Sequence, residues 1–192
     1  MTAQPITMYS AEEYLELERA ADYKSEYYRG EIFAMAGAGR NHNRIKENLS
    51  IEIGSFLKSK SCQSFSSDMR VHIPESTLYT YPDLLIVCGK AEFLDSHTDT
   101  LLNPSVIIEV LSPSTESYDR GKKFRFYRGI DSLVEYILID STELSAEVHR
   151  KGSGDIWGLS SAAYDLESSI EISQAGLTLK MSDIYSQTEG IF

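Results

Sequence analysis

The sequence predicts an α/β or α+β sandwich: a mixed β-sheet flanked by helices, with β-rich additions towards both ends. Three observations predict it. Short apolar runs, "DLLIVC", "SVIIEVL" and "EYILID", have the length and composition of buried strands. Two other segments carry apolar residues at helical spacing, one around Ile45, Leu49 and Ile53 and one from about Thr115 to Tyr127. The two patterns interleave along the chain instead of segregating, as sheets covered by helices require.

Taken in order, "SAEEYLELERA" opens with Ser10 as an N-cap, has acids in its first turn, and brings Tyr14 and Leu17 to one side; this is a helix. "EYYRGEIFAMAG" alternates apolar residues about Arg29-Gly30 and reads as a hairpin or bent strand. "HNRIKENLSIEIGSFLKSK" is an amphipathic helix with Ile45, Leu49, Ile53 and Phe56-Leu57 inward and lysine in its last turn. Strands at "DMRVHIP", "YPDLLIV" and "PSVIIEVL", the helix from about Thr115 to Tyr127, and the strand "VEYILID" follow. The last third reads as a hairpin about Gly152-Ser153-Gly154 with a further strand at "SIEIS".

A length of 192 residues with 42% hydrophobic content suits one domain over 1–192 with a real core. The net charge of −11 argues against coating nucleic acid through bulk charge, but leaves room for a local basic patch. Arg120, Lys122, Lys123, Arg125 and Arg128 form such a run, readable either as a solvated helix face or as a ligand surface. The polar, acidic N-terminal stretch has no apolar core of a signal peptide, and no apolar run approaches the roughly 20 residues of a membrane span. A cytoplasmic protein with no membrane contact is expected. Its two cysteines, Cys62 and Cys88, are expected to be reduced, with Cys88 filling core space.

The chemistry-bearing residues are acids out of place. Glu109 interrupts the run Val106-Ile107-Ile108 and Val110-Leu111, and Asp83 stands directly before Leu84-Leu85-Ile86-Val87. An ionised carboxylate in a strand core is costly unless paired, hydrogen-bonded or metal-bound. Two such acids on two strands suggest a convergent site, which either binds a divalent cation or forms a structural ion cluster. Phosphoryl chemistry at a metal commonly uses a nearby cation. The residue two beyond Glu109 on the same strand face is Leu111, which cannot serve. On a helical wheel of about 100° per residue, Asp119 and Lys123 fall inside the apolar face defined by Phe126, Tyr127 and Ile130, while Lys122, Arg120, Arg125 and Arg128 fall outside it. Lys123 is therefore the better candidate.

These segments, "YPD", "IIEVLSPST", "DRGKKFRFY" and "EYILID", resemble the restriction-endonuclease-like superfamily, whose site is written PD-(D/E)XK. More narrowly, they resemble its bacterial branch of putative restriction endonucleases, in which the lysine has migrated to the helix; "EYYRGEIFAMAG" and "HNRI" extend the likeness from about Tyr9 to Tyr185. The branch's DxxxK spacing matches Asp119 and Lys123. Leu111 departs from the superfamily pattern. The resemblance implies a restriction-endonuclease-like core and a Mg²⁺- (or Mn²⁺-) dependent endonuclease acting on DNA. It implies Asp83 and Glu109 as metal ligands with the Val110 carbonyl as a third, and Lys123 as the residue that orients water or neutralises the scissile phosphate. His42 is a second candidate, binding or protonating a leaving group or merely capping its helix. Glu26 is either an added acid of the site or a partner of Arg29. Of the other histidines, His72 and His149 are expected at the surface and His97 in a loop; Trp157 and the many tyrosines read either as surfaces for base stacking or, the commoner role, as core or hairpin residues. A single site of this type cuts one strand, so a homodimer is expected, with the first helix and the β-rich C-terminal third as interface elements. The rival readings are a catalytically silent module binding DNA or a protein, and a glycosidase using the two acids.

Overall fold

The structure is a computed structural model describing residues 7–192. In chain order, α1 (Ala11–Ala20) precedes the hairpin β1 (Ser25–Tyr28) and β2 (Glu31–Ala34), the long helix α2 (Arg40–Leu57), and the strands β3 (Cys62–Ser66), β4 (Arg70–Ile73), β5 (Leu78–Thr80), β6 (Leu84–Cys88), β7 (Thr100–Leu101) and β8 (Val106–Leu111). A helical stretch follows, made of α3 (Glu116–Tyr118), a π-helical turn (Asp119–Lys123) and α4 (Phe124–Tyr127). Then come β9 (Glu135–Asp140), β10 (Ala146–Lys151), β11 (Trp157–Ala163), β12 (Ser169–Ile172), β13 (Leu177–Lys180) and α5 (Met181–Ile184). No helix among the described residues is long and apolar enough to cross a membrane.

The six-stranded sheet runs β11-β10-β9-β8-β6-β3, and only its β8–β9 pair is parallel. A five-stranded sheet, β2-β1-β5-β4-β7, and the β12–β13 hairpin complete the architecture. β8 shows how the layers are made. Val106, Ile108 and Val110 join Ile45, Leu49 and Ile53 of α2 in one core; Ile107 and Leu111 join Val71, Ile73 and Leu78 of the second sheet and Tyr127, Ile130 and Leu133 in another. Two-residue alternation in a strand buried on both faces gives this division. Ile45, Leu49 and Ile53 are fully buried, and each contributes on the order of 1.5–3 kcal/mol of burial free energy.

At α1 the capping box is complete: the Glu13 N–H donates to Ser10 Oγ at 3.1 Å and the Ser10 N–H donates to the Glu13 carboxylate at 2.7 Å. Leu17 is 50% exposed; Tyr14, Leu15 and Glu18 face the protein, with Tyr14 stacked 5.1 Å from Tyr27. The hairpin turns where expected, with Arg29 and Gly30 both at positive φ. α2 ends without a basic residue in its last turn, Lys58 being its C-cap.

The expectation of two reduced cysteines is corrected. Antiparallel register puts Cys62 directly opposite Cys88, and the structure joins them in a disulfide; neither is a free thiol. His72 is half-buried and not simply at the surface: it stacks 4.1 Å from the Tyr79 ring and burial holds its pKa below the ordinary value. His149 is half-buried, 3.4 Å from Glu147. Trp157, at the start of β11, is half-buried and packs edge-on against Phe124 at the rim of the core.

Candidate active site

The site is assembled by β6, β8, β1, α2 and the helical stretch after β8. β6 and β8 pair antiparallel with Leu84 opposite Ile108, so Asp83, one residue before β6, comes level with Glu109. The pair is stitched in both directions: the Val110 N–H donates to Asp83 Oδ2 at 2.9 Å, and the Asp83 N–H donates to Glu109 Oε2 at 3.3 Å. Glu109 shares its strand face with Ile107 and Leu111, which explains why the cation must arrive from elsewhere.

It arrives from the π-helical turn. Lys123 Nζ lies 2.8 Å from Glu109 Oε1, 3.5 Å from Asp119 Oδ1 and 4.0 Å from Glu26 Oε1. The turn is wider than the 3.6-residue helix assumed from sequence, yet its two ends stay on one side, and Asp119 and Lys123 are both buried. π-turns are rare and frequent at functional sites. Lys122 is exposed, with Nζ 4.5 Å above the Tyr28 ring.

His42, in the first turn of α2, places Nε2 3.1 Å from Asp83 Oδ2, while its Nδ1 is buried with no protein partner among the described residues. Glu26 projects from β1 towards Lys123 and accepts a hydrogen bond from the Thr80 hydroxyl. It does not pair with Arg29, whose guanidinium lies over the Tyr28 ring. All five sequence-predicted side chains therefore meet in one continuous set of contacts. Sequence reasoning missed two contributors. Tyr127 donates its hydroxyl to Glu109 Oε1 at 2.8 Å, and Thr80 holds Glu26. Tyr127 was visible as part of the packed face, but nothing in local spacing reveals where its hydroxyl ends.

The electrostatics follow from four carboxyl groups gathered around one ammonium. Burial pushes the Glu109 carboxyl up to about 8 against the pull of Lys123, with the like charges of Asp119 and Asp83 adding to it. Burial also raises Asp119, again opposed by Lys123. For Asp83 burial is overcome by the His42 and Val110 hydrogen bonds and Lys123, which hold it below the usual carboxylate range. For Lys123 burial alone would lower the pKa, but Glu109, Asp119 and Glu26 hold it well above its ordinary value.

The donor set suits a hard divalent cation. Asp83 and Glu109 adjoin, an excess of negative charge surrounds them, and a buried imidazole nitrogen beside them lacks a partner. Among the described residues no three His, Cys, Asp or Glu side chains form a ready-made cage. Asp83 and Glu109 are the residues that could hold a divalent cation, with water and substrate oxygens completing its shell.

Comparison with known proteins identifies the family and the fold in which these residues lie. The model of the Uma2 family, described as "Putative restriction endonuclease", matches residues 11–182. The chain belongs to the Uma2 family. Two proteins of Synechocystis, both called uncharacterized, are similar to it: sll1609, 41% identical over 77% of this chain and 84% of that protein, and slr1290, 34% identical over 94% and 93%. The fold is similar to the crystal structure of a putative nuclease belonging to DUF820 from Anabaena variabilis, with a TM-score of 0.73 and 21% identity over 95% of this chain and 98% of that one. The Uma2 chain thus has the restriction-endonuclease-like fold: a mixed sheet flanked by helices, with additional strands at both ends.

Proposed function

We propose that this Uma2 chain is one nuclease domain that hydrolyses phosphodiester bonds of DNA with Mg²⁺ or Mn²⁺. The observation that carries the reading is the contact set Asp83–Glu109–Lys123, in which two adjoining carboxylates on neighbouring strands face a buried, fully charged lysine.

Asp83 and Glu109, with the Val110 carbonyl, hold the metal ion in this reading. When bound, that ion activates a water as nucleophile and offsets charge gathering on the phosphate. Lys123 supplies a positive charge fixed beside Glu109; Glu26, the most distant of its three carboxylates, is the partner most readily exchanged for a scissile phosphate oxygen. His42 orients Asp83 through Nε2 and keeps Nδ1 for proton exchange with the substrate. Tyr127 and Asp119 fix Glu109 and Lys123 and touch no substrate. A glycosidase would gain nothing from a lysine locked onto one of its two acids.

The basic run contributes a phosphate-binding surface, in which Lys122, Arg125 and Arg128 are exposed. Arg120 belongs elsewhere, since it pairs with Glu116 at 2.7 Å and Glu147 at 2.8 Å. One site per chain cuts one strand, so two copies act together; exposed Ile156, Leu159 and Tyr164 in the C-terminal third offer apolar surface for that pairing. Sedimentation that finds only the 21.6 kDa species at micromolar concentration contradicts the dimer. The test of function is cleavage of plasmid and single-stranded DNA over a Mg²⁺ or Mn²⁺ titration. Cleavage absent at every metal concentration, or unchanged in Asp83→Ala, contradicts the proposal.

A further inference from the structure

We infer that the β1–β2 hairpin beside the acid–lysine cluster is a stacking platform for unpaired nucleotides, so that the substrate is DNA with a single-stranded segment at the scissile bond. This rests on the nuclease reading above and adds the substrate class.

Strand alternation sets the platform. In β1, Ser25 and Tyr27 are buried, while Glu26 and Tyr28 turn to the opposite, half-open face. Glu26 reaches to 4.0 Å from Lys123 Nζ, so this face begins at the site. Tyr28 follows about 7 Å further along the strand. Phe33 stands directly opposite Glu26 in the antiparallel register, and directly opposed residues share a face. Phe33 is 47% exposed. One aromatic ring thus lies across from Glu26 and another beyond it, and Phe126 extends the second by tilting against Tyr28 at 5.2 Å.

Three cations lie around these rings, close to the site. Lys122 lies 4.5 Å above the Tyr28 ring, Arg29 lies 5.2 Å from the same ring, and Arg125 lies 5.8 Å from Phe126. Arg19, Arg70, Arg120 and Arg150 are all paired with carboxylates. Arg29, Lys122 and Arg125 have no carboxylate partner among the described residues, although the chain carries 29 acids against 18 Lys and Arg. Unpaired cations interleaved with aromatic faces, in a protein otherwise rich in negative charge, complement a ligand that has both phosphates and exposed base faces. That is the composition of single-strand binding grooves, where bases stack on aromatic rings and phosphates meet the cations. A paired duplex keeps its base faces inside its own stack and offers only edges and backbone, so Phe33 would find nothing to stack on.

The test is fluorescence anisotropy of the wild-type chain in EDTA at low salt, with a labelled single strand, a blunt duplex and a forked duplex. The inference expects the single strand and the fork to bind at least about tenfold more tightly than the blunt duplex. Phe33→Ala should weaken single-strand binding by roughly tenfold or more and leave duplex binding and the unfolding midpoint unchanged, since base–aromatic stacking is sequence-tolerant and Phe33 is exposed. Phe33→Tyr should retain it. Equal affinity for duplex and single strand, no measurable binding of the single strand, or a Phe33→Ala chain that binds it like wild type overturns the platform. Cleavage in Mg²⁺ separates this from the reading beneath it. Phe33-dependent binding without cleavage refutes the nuclease and keeps the platform; cleavage of blunt duplex as fast as of the forked duplex, with the forked-duplex rate unchanged in Phe33→Ala, refutes the platform and keeps the nuclease.

Discussion

Replacing Lys123 by methionine should be a stability mutation as well as an activity mutation. The side chain is 7% exposed and its Nζ lies 2.8, 3.5 and 4.0 Å from the carboxylates of Glu109, Asp119 and Glu26. At an effective dielectric of about 20, each contact is worth on the order of 4–6 kcal/mol in gross Coulomb energy. Most of that offsets the cost of bringing the charges out of water, and breaking one partner of a buried cluster typically costs about 3–5 kcal/mol net. Methionine keeps most of the volume, so packing adds little. The loss should depend on pH. Without the ammonium the remaining acids take up protons, which costs least for Glu109, whose carboxyl already lies near 8. The destabilisation should therefore be largest near pH 8 and smaller near pH 6. Urea unfolding of wild type and Lys123→Met at both values in EDTA measures it. A variant within about 0.5 kcal/mol of wild type at pH 8 would show that Lys123 is not the counter-charge of this cluster, and the site as described would fall.

Three further outcomes follow from the same structure. In EDTA, wild-type stability should fall as pH rises from about 5 to 8: the folded chain keeps a proton on Glu109 that the unfolded chain releases, giving a slope of up to about −1.4 kcal/mol per pH unit, and Glu109→Gln should flatten the curve. Reversal of Arg125 and Arg128 to glutamate should remove most DNA binding and reduce its salt slope without unfolding, whereas Arg120→Ala should leave binding largely intact and cost up to about 1 kcal/mol through lost contacts to Glu116 and Glu147; an unchanged salt slope in the double reversal would return that face to plain solvated surface. Thiol titration of the unreduced, denatured chain should find no free cysteine, and reduction should lower the melting temperature, since Cys62–Cys88 closes a loop with a sequence separation of 26; two titratable thiols before reduction would contradict the cross-link.

What could be read from the sequence, and what could not, divides along the range of the interactions. Glu109 announced itself because a carboxylate inside "VIIEVL" violates the local apolar rule, and Asp83 because it abuts "LLIV". Lys123 is separable from Lys122 because helical periodicity is local, and the two ends of the π-turn, Asp119 and Lys123, are both buried. The turn at Arg29-Gly30 is legible from its residues, and β1 alternates buried and half-buried positions, whereas β2 buries none of its four residues. Glu26 was left between two partners, since deciding for Lys123 over Arg29 requires β1 to be docked beside the helix, a tertiary fact. The same holds for the Tyr127 hydroxyl on Glu109, for Thr80 on Glu26, and for Arg120, one of whose partners lies 27 residues away on β10. Short strands such as β5, β7 and β13, of two to four residues, are too brief to show a period. The cross-link between Cys62 and Cys88 depended on the β3–β6 register, which no spacing rule for cysteines supplies.

The central claim is that Asp83 and Glu109 form one divalent-metal site, and calorimetric titration of the metal-free chain with Mn²⁺ near pH 8 tests it most directly. The account predicts one ion bound per chain, a rise in melting temperature on binding, and loss of both in Asp83→Ala with the fold retained. Binding that is absent in wild type, or equal in wild type and Asp83→Ala, would contradict it.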